Sequence, residues 1–229
     1  MLNRLKKELE NLKDTEKAQA LSKFFKTGKG QYGEGDVFLG VIVPLQRKVA
    51  SQYNHLSLND IQKLLNSRIH EHRLTALFIL IHKYQKADEK RKQAIVEFYL
   101  RNSKNINNWD LVDLSAPKIL GDFLLNKNRH ILYRLAKGHL WEKRIAVLAT
   151  FAFIRKNDFQ DALKISEILL KDRHDLIHKA VGWMLREIGK RNQPAEESFL
   201  KKHCTTMPRT MLRYAIEKFP ESKRKAYLS

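Results

Sequence analysis

The strongest constraint on this chain is an internal repeat. Similar segments with apolar residues at helical spacing begin at Arg73, Trp109, Arg144, Lys179 and Tyr214, so their starts are 36, 35, 35 and 35 residues apart. Such a period, with two helices per unit, is typical of α-solenoids, in which each helical pair buries its apolar face against its neighbours. We therefore predict an all-α fold, a curved stack of helical hairpins.

The helical pattern extends over most of the chain. We expect one or two N-terminal helices over residues 2–25, broken near Asp14, and then helices over 45–53, 58–65, 72–84, 89–102, 109–115, 118–125, 131–137, 143–154, 161–170, 176–189, 196–203 and 210–219. No segment alternates with period two for long enough to indicate a strand. We predict one domain, residues 1–229, with N-terminal helices and a glycine-rich loop over 1–36 and repeats over 37–229.

The loop from Thr27 to Asp36 contains four of the nine glycines. A phosphate-binding loop would need Gly-Lys-Ser/Thr after a buried strand, and a dinucleotide fingerprint would also follow a strand, whereas a helical pattern precedes these glycines. Nucleotide binding is therefore not expected. Two interpretations stay open, a plain connector or a loop that touches DNA through Lys26, Lys29 and Tyr32.

Charge indicates a polyanionic partner. The chain has 44 Lys and Arg against 25 Asp and Glu, a net charge of +19 and a pI near 10.0. Nucleic acid is the leading candidate because cations that neutralise phosphates release counterions, with an anionic membrane surface or an acidic protein as lesser ones. Cys204 is the only cysteine, so no internal disulfide is possible. No apolar run approaches the roughly 20 residues of a membrane span, and we expect a soluble, cytoplasmic protein.

Repeat register brings candidate residues into rows. Residues in equivalent slots should lie side by side, so Trp109, Arg144 and Lys179 are expected to form one row. The residues four positions later, Asp113 and Trp183, are expected to form a parallel row, and Lys143 adds charge beside the first. A basic edge that recurs once per repeat is suited to following a phosphate backbone, with the indole rings offered to a sugar or base.

Asp113 is the candidate catalytic group. A carboxylate in a DNA-binding groove weakens affinity, so its presence favours a role in stabilising positive charge on the substrate. A deoxyribose that loses its base resembles an oxocarbenium ion, which a carboxylate stabilises. The plain alternative is that Trp109 belongs to the core and Asp113 is a surface or capping acid.

Metal chemistry is less well supported. Asp110, Asp113 and Asp122 would suggest a metal-dependent nuclease, but Asp122 lies beyond Pro117, so a common site is not assured. The run from His70 to His72 lacks the spacing of zinc proteases. We expect neither a metal nor a cofactor.

Four short motifs carry a family resemblance: Trp109-Asp-x-x-Asp113, Leu-Gly-Asp-Phe-Leu at 120–124, Trp141-x-x-Arg144-x-Ala146 and Lys179-Ala-x-Gly-Trp183-x-Leu-Arg-Glu187. From about Phe38 onward the chain resembles the AlkD-type DNA alkylation repair glycosylases, which are built from HEAT-like repeats. The resemblance implies a solenoid with a basic concave face, Asp113 as the catalytic carboxylate, and Trp109, Arg144 and Trp183 as DNA contacts. It also implies excision of positively charged N3- or N7-alkylated purines from double-stranded DNA in base excision repair. We expect the protein to be a monomer.

One departure from that family keeps alternatives open. Phe24 and Phe25 stand where the family has a DNA-contacting tyrosine near the end of its N-terminal helices. The first alternative is a DNA-structure-binding protein of the same family with weak or no excision activity. The second is a basic solenoid that docks an acidic protein segment.

Overall fold

The structure is a computed structural model that describes residues 1–229. The chain forms two compact units, residues 1–115 and 116–229. The helices of the first unit are α1 Leu2–Asn11, α2 Thr15–Phe24, α3 Val43–Gln52, α4 Leu58–Leu65, α5 His70–Gln85, α6 Glu89–Arg101 and α7 Trp109–Ser115. The only extended pairing is an isolated bridge between Val37 and Ile69.

The second unit is also helical. It contains a π-helix Pro117–Gly121, α8 His130–Leu135, α9 Leu140–Ala149, α10 Phe151–Ile154, α11 Gln160–Leu169, α12 Asp175–Gly189, α13 Gln193–His203, α14 Arg209–Ala215, a 3₁₀ helix Ile216–Lys218 and α15 Glu221–Leu228. The predicted all-α fold of successive packed helices is confirmed. No helix is long and apolar enough to cross a membrane.

Helix α5 is the core of the first unit. It packs against α1, α3, α4, α6 and α7, and nearly all of its residues are buried. The buried residues include four polar ones in its first turn, His70, Glu71, His72 and Arg73. Because buried polar groups need partners, this end of α5 must be matched by polar groups from neighbouring segments.

Helix α12 has the corresponding place in the second unit, where it packs against α9, α11, α13 and α14. Gly182 permits its close approach to α14, because a β-carbon at this position would lie 2.4 Å from the carbonyl oxygen of Met211. The glycine in the Lys179–Glu187 motif therefore has a packing role.

Two helix predictions were wrong in detail, and one helix was not expected. The expected helix over 118–125 is a π-helix over Pro117–Gly121, in which Gly121 N–H bonds to the Ala116 carbonyl at 2.9 Å, because proline disturbs the ordinary helical bonding before it. The expected helix over 143–154 divides at Thr150 into α9 and α10. Helix α15 was not expected, because its apolar residues, Ala226, Tyr227 and Leu228, all lie at its end and show no helical periodicity.

Two repeat markers of the second unit occupy the same position in their helices. Arg144 and Lys179 are each the fifth residue of their helices, α9 and α12. Trp109 instead is the first residue of α7. Each of these three residues lies in a helix of its own, but Trp109 stands four positions, about one turn, earlier in its helix than Arg144 and Lys179 do in theirs.

Candidate functional site

An aromatic cluster surrounds Trp109 at the start of α7. The Trp109 ring stacks on Phe25, with centroids 5.1 Å apart and 25° between the ring planes, and meets Phe24 edge-on at 5.8 Å. Its indole Nε1 donates a hydrogen bond to Tyr32 Oη at 3.2 Å. Trp109 is thus half-buried, held by the end of α2 and by the glycine-rich loop, and it is not a plain core residue.

The glycine-rich loop is shaped to reach this cluster. Gly33 N–H bonds to the Lys26 carbonyl at 3.2 Å, and a β-carbon on Gly33 would lie 2.5 Å from the Phe25 carbonyl oxygen. Lys26 itself has a positive φ of 51°. The chain folds back tightly on the end of α2, and this brings Tyr32 to Trp109. The loop therefore supplies a hydrogen-bond partner for the indole and does not only connect two helices.

Asp113 lies one turn after Trp109 in α7, and both side chains are half-buried. Burial raises the pKa of Tyr99, and the negative charge of Asp113 raises it further. The Tyr99 hydroxyl lies 2.9 Å from Ser115 Oγ. Asp113 therefore lies close enough to the buried Tyr99 hydroxyl to affect its pKa. On α7 it is also one turn from the half-buried indole of Trp109.

Asp110 has a different environment from Asp113. It is buried, and its Oδ2 lies 2.8 Å from His70 Nε2. The other ring nitrogen of His70, Nδ1, lies 3.3 Å from Asp36 Oδ2, which also accepts a hydrogen bond from Arg73 at 2.6 Å. Asp110, one of the three carboxylates considered for a nuclease site, is thus paired with His70 inside the protein.

The polar run at the start of α5 serves three separate partners. His72 Nδ1 lies 2.9 Å from Ser67 Oγ, and burial lowers the His72 pKa to about 4. The Glu71 carboxylate accepts hydrogen bonds from the backbone N–H groups of residues 39, 40 and 41 at 3.0, 2.8 and 3.3 Å. The side chains of His70, Glu71 and His72 therefore have separate partners.

In the second unit, Arg144 is buried, with 4% of its surface exposed. Its Nη1 donates a hydrogen bond to the carbonyl oxygen of Leu176 at 2.5 Å, in the first turn of α12. This contact ties α9 to α12 and limits how much of the guanidinium reaches solvent. Its contact with a phosphate stays a prediction.

The two predicted lysine contacts have acidic partners. Lys143 Nζ lies 2.7 Å from Asp172 Oδ2, a carboxylate with only 9% of its side chain exposed. Lys179 Nζ lies 2.6 Å from Asp175 Oδ2, and both of these side chains are well exposed. Lys179 is therefore the easier of the two to release to a phosphate, because its ion pair is screened by water.

Trp183 has its own polar anchor. Its Nε1 donates to Glu187 Oε1 at 3.2 Å, and the same oxygen lies 2.5 Å from Lys190 Nζ. The ring lies 5.9 Å from Phe151, and the Arg155 guanidinium covers Phe151 at 4.3 Å. The second unit thus also presents an aromatic pair with a cation beside it.

Several of these partners were not found from the sequence. His70, Phe151, Arg155 and Glu187 had no assigned role in the site, and Tyr32 was considered only as a possible DNA contact. The six predicted site residues divide between the units, Trp109 and Asp113 in the first and Lys143, Arg144, Lys179 and Trp183 in the second. Their common row across the repeats stays a prediction.

Comparison with known proteins identifies a similar fold and a family. A solved structure described as "Predicted DNA alkylation repair enzyme from Enterococcus faecalis" shares the fold with a TM-score of 0.70 and 17% identity, over 91% of this chain and 97% of that chain. No curated protein sequence matches. The family model for the DNA alkylation repair enzyme matches residues 5–219. Since this match takes in both aromatic clusters and nearly all of the chain, the protein belongs to the family of DNA alkylation repair enzymes.

Proposed function

We propose that the protein is a monofunctional DNA glycosylase that excises positively charged N3- or N7-alkylated purines from double-stranded DNA. The observation that carries the proposal is the pairing of a half-buried carboxylate, Asp113, with a half-buried indole, Trp109, one turn apart on α7. Membership of the repair family and the net charge of +19 support DNA as the partner.

The chemistry requires little of the protein. An alkylated purine already carries positive charge, so it leaves as a neutral base when its bond to C1′ breaks, and no strong general acid is needed. The electron pair of that bond goes to the base, and the sugar becomes oxocarbenium-like. The Asp113 carboxylate stabilises this cation and orients a water molecule, whose oxygen bonds to C1′ while its proton leaves to the carboxylate or solvent.

The other residues bind rather than react. Trp109 and Trp183 are the proposed aromatic contacts, while Arg144, Lys143 and Lys179 are the proposed phosphate contacts. The indole nitrogens of both tryptophans already have partners in the protein, Tyr32 and Glu187, so each ring is oriented before DNA binds. Such orientation reduces the entropy lost on binding.

The decisive experiment measures the release of 7-methylguanine and 3-methyladenine from methylated duplex DNA. Wild-type protein should release at least one of these bases, and Asp113→Asn should lower the rate by about 100-fold or more while DNA affinity is retained. Asp122→Asn, at an exposed position, is the matched control and should keep the wild-type rate.

The same experiment tests the alternatives. Salt-dependent duplex binding by wild type without release of either base would favour a DNA-structure-binding member of the family. Wild-type protein that neither releases a base nor shows a steep salt dependence of DNA binding would leave the acidic-protein partner as the better interpretation.

A further inference from the structure

His70 is a buried cation candidate that the proposed chemistry does not use. Both ring nitrogens face carboxylates, Nε2 at 2.8 Å from Asp110 and Nδ1 at 3.3 Å from Asp36. A neutral imidazole has one N–H and can donate to only one of them, whereas the protonated ring donates to both. The geometry therefore fits an imidazolium that bridges two carboxylates.

The ring is also enclosed by aromatic side chains. His70 stacks on Phe38 at 4.6 Å and lies 5.1 Å from Phe25, and these two phenylalanines stack on each other at 5.1 Å. Phe25 in turn stacks on Trp109. The imidazole thus lies behind the aromatic group on which the indole rests.

His70 contacts each of the three segments that surround Trp109. Asp110 is the next residue to Trp109 in α7, and Asp36 ends the loop that carries Tyr32. Phe25, which covers one face of the indole, is the third attachment. The charged groups around the ring are Asp36 from the loop, Asp110 from α7 and Arg73 from α5.

We propose that His70 is the positioning residue for Trp109: as an imidazolium between Asp36 and Asp110, it locks the glycine-rich loop, the end of α2 and the start of α7 into the arrangement that orients the indole. This inference deepens the proposed function and rests on it only for the consequence in catalysis. The orientation of Trp109 is measurable without any base release.

A pH dependence follows from this geometry. Burial alone would lower the pKa of His70, but the charge of Asp110 and the hydrogen bonds to Asp110 and Asp36 outweigh burial and raise the pKa to about 9 from the usual 6.5. Between these two values the folded protein holds a proton that the unfolded chain has lost. In the folded protein the bridge is therefore present at neutral pH and is lost as the pH rises through about 9, and its contribution to folding stability is complete below pH 6.5.

The test uses the full chain labelled with ¹⁵N, in which the three tryptophans give three indole N–H signals and Trp109→Phe assigns one of them. His70→Phe keeps a ring in the stack but removes both donors, and it should shift or broaden the Trp109 signal while the Trp141 and Trp183 signals stay in place. His72→Phe is the matched control, since His72 is also buried on α5 but bonds to Ser67, and it should leave the Trp109 signal unchanged.

Titration provides the second readout. In wild type the Trp109 signal should be constant at neutral pH and change with a midpoint near pH 9, and this transition should be absent in His70→Phe. Asp110→Asn removes one charge with little change in size, and it should move the midpoint to lower pH. This variant keeps the inference testable if His70→Phe does not fold. If the protein is a glycosylase, His70→Phe should also slow base release with DNA affinity less affected.

A Trp109 signal that responds equally to His70→Phe and His72→Phe, or that shows no transition near pH 9 in wild type, would overturn the inference. If base release is never found but the Trp109 signal behaves as expected, the proposed function fails and the positioning role of His70 stands.

Discussion

Trp109 and Tyr32 are joined by a hydrogen bond of 3.2 Å from the indole Nε1 to the tyrosine hydroxyl, across 77 positions of the sequence. The chain has phenylalanines, Phe24 and Phe25, where the family resemblance implies a tyrosine. A tyrosine hydroxyl nevertheless lies beside Trp109, and the glycine-rich loop supplies it. The loop is therefore part of the cluster of side chains around Trp109.

Tyr32→Phe should loosen Trp109 without unfolding the protein. The substitution removes the acceptor for the indole N–H and leaves the ring contacts of Trp109 with Phe25 in place, so the free energy of unfolding should fall by about 1 kcal/mol. Chemical denaturation measures this change, and the Trp109 indole signal should move. An unchanged signal would show that the hydroxyl does not hold the indole in solution.

Gly33→Ala should destabilise the loop strongly. A β-carbon at Gly33 would lie 2.5 Å from the backbone oxygen of Phe25, a contact that no side-chain rotation relieves. We expect a loss of about 2 kcal/mol in the free energy of unfolding, together with a disturbed Trp109 signal. Gly28→Ala is the control in the same loop, because its β-carbon would meet only the flexible end of Gln31 at 3.1 Å. Equal stabilities of the two variants would contradict this account of the loop.

Lys143→Gln and Lys179→Gln should differ in their effects on thermal stability and on DNA binding. Removing Lys143 leaves the largely buried Asp172 carboxylate without this ion pair, so thermal stability should drop, whereas the exposed pair of Lys179 with Asp175 contributes little. If Lys179 contacts a phosphate, Lys179→Gln should reduce the slope of log affinity against log salt by about one. Thermal unfolding and DNA titrations at several salt concentrations check both expectations, and a salt slope equal to that of wild type would remove Lys179 from the DNA contacts.

Glu196→Gln should stabilise the second unit at alkaline pH. Burial of Glu196, and then the neighbouring charge of Glu197, raises the pKa of Glu196 to about 8 from 4.5. The folded form therefore binds a proton that the unfolded chain lacks between these values, so its contribution to stability is complete below pH 4.5 and is lost as the pH rises through 8. The variant should show a higher melting temperature than wild type at pH 9 and a smaller difference at pH 5. Glu197→Gln, at the neighbouring position, is a comparison variant, and a Glu196→Gln advantage that does not vary with pH would be the contrary result.

Some helices have the bounds expected from the sequence, and others do not. Helices α4 and α7 were predicted with the bounds they have, because apolar spacing and capping residues such as Ser57, whose side chain accepts from Asp60 N–H, act within a few positions. The π-helix after Ser115 was not predicted, because proline allows several local solutions and packing selects one of them.

The candidate site also combines features set by the local sequence with features set by tertiary packing. Trp109 and Asp113 were identified from a short motif, and their spacing of four residues already places them on one helical face. Arg144 was expected to contact DNA, which stays a prediction, and the structure adds that it is buried and bonded to Leu176, 32 positions away. Periodicity indicates which face a residue occupies, whereas the neighbour that covers that face depends on distant parts of the chain.

The sequence by itself determined the helical fold, the order of most of its helices and the basic charge, because each depends on composition or on residues within a few turns of one another. Only the tertiary structure decided that His70 lies between Asp36 and Asp110, that Tyr32 reaches Trp109 and that Lys143 pairs with Asp172. These contacts join residues 29 to 77 positions apart. The physical reason is that polar groups which become buried need partners, and the packing of whole segments, rather than any local pattern, determines which partners they meet.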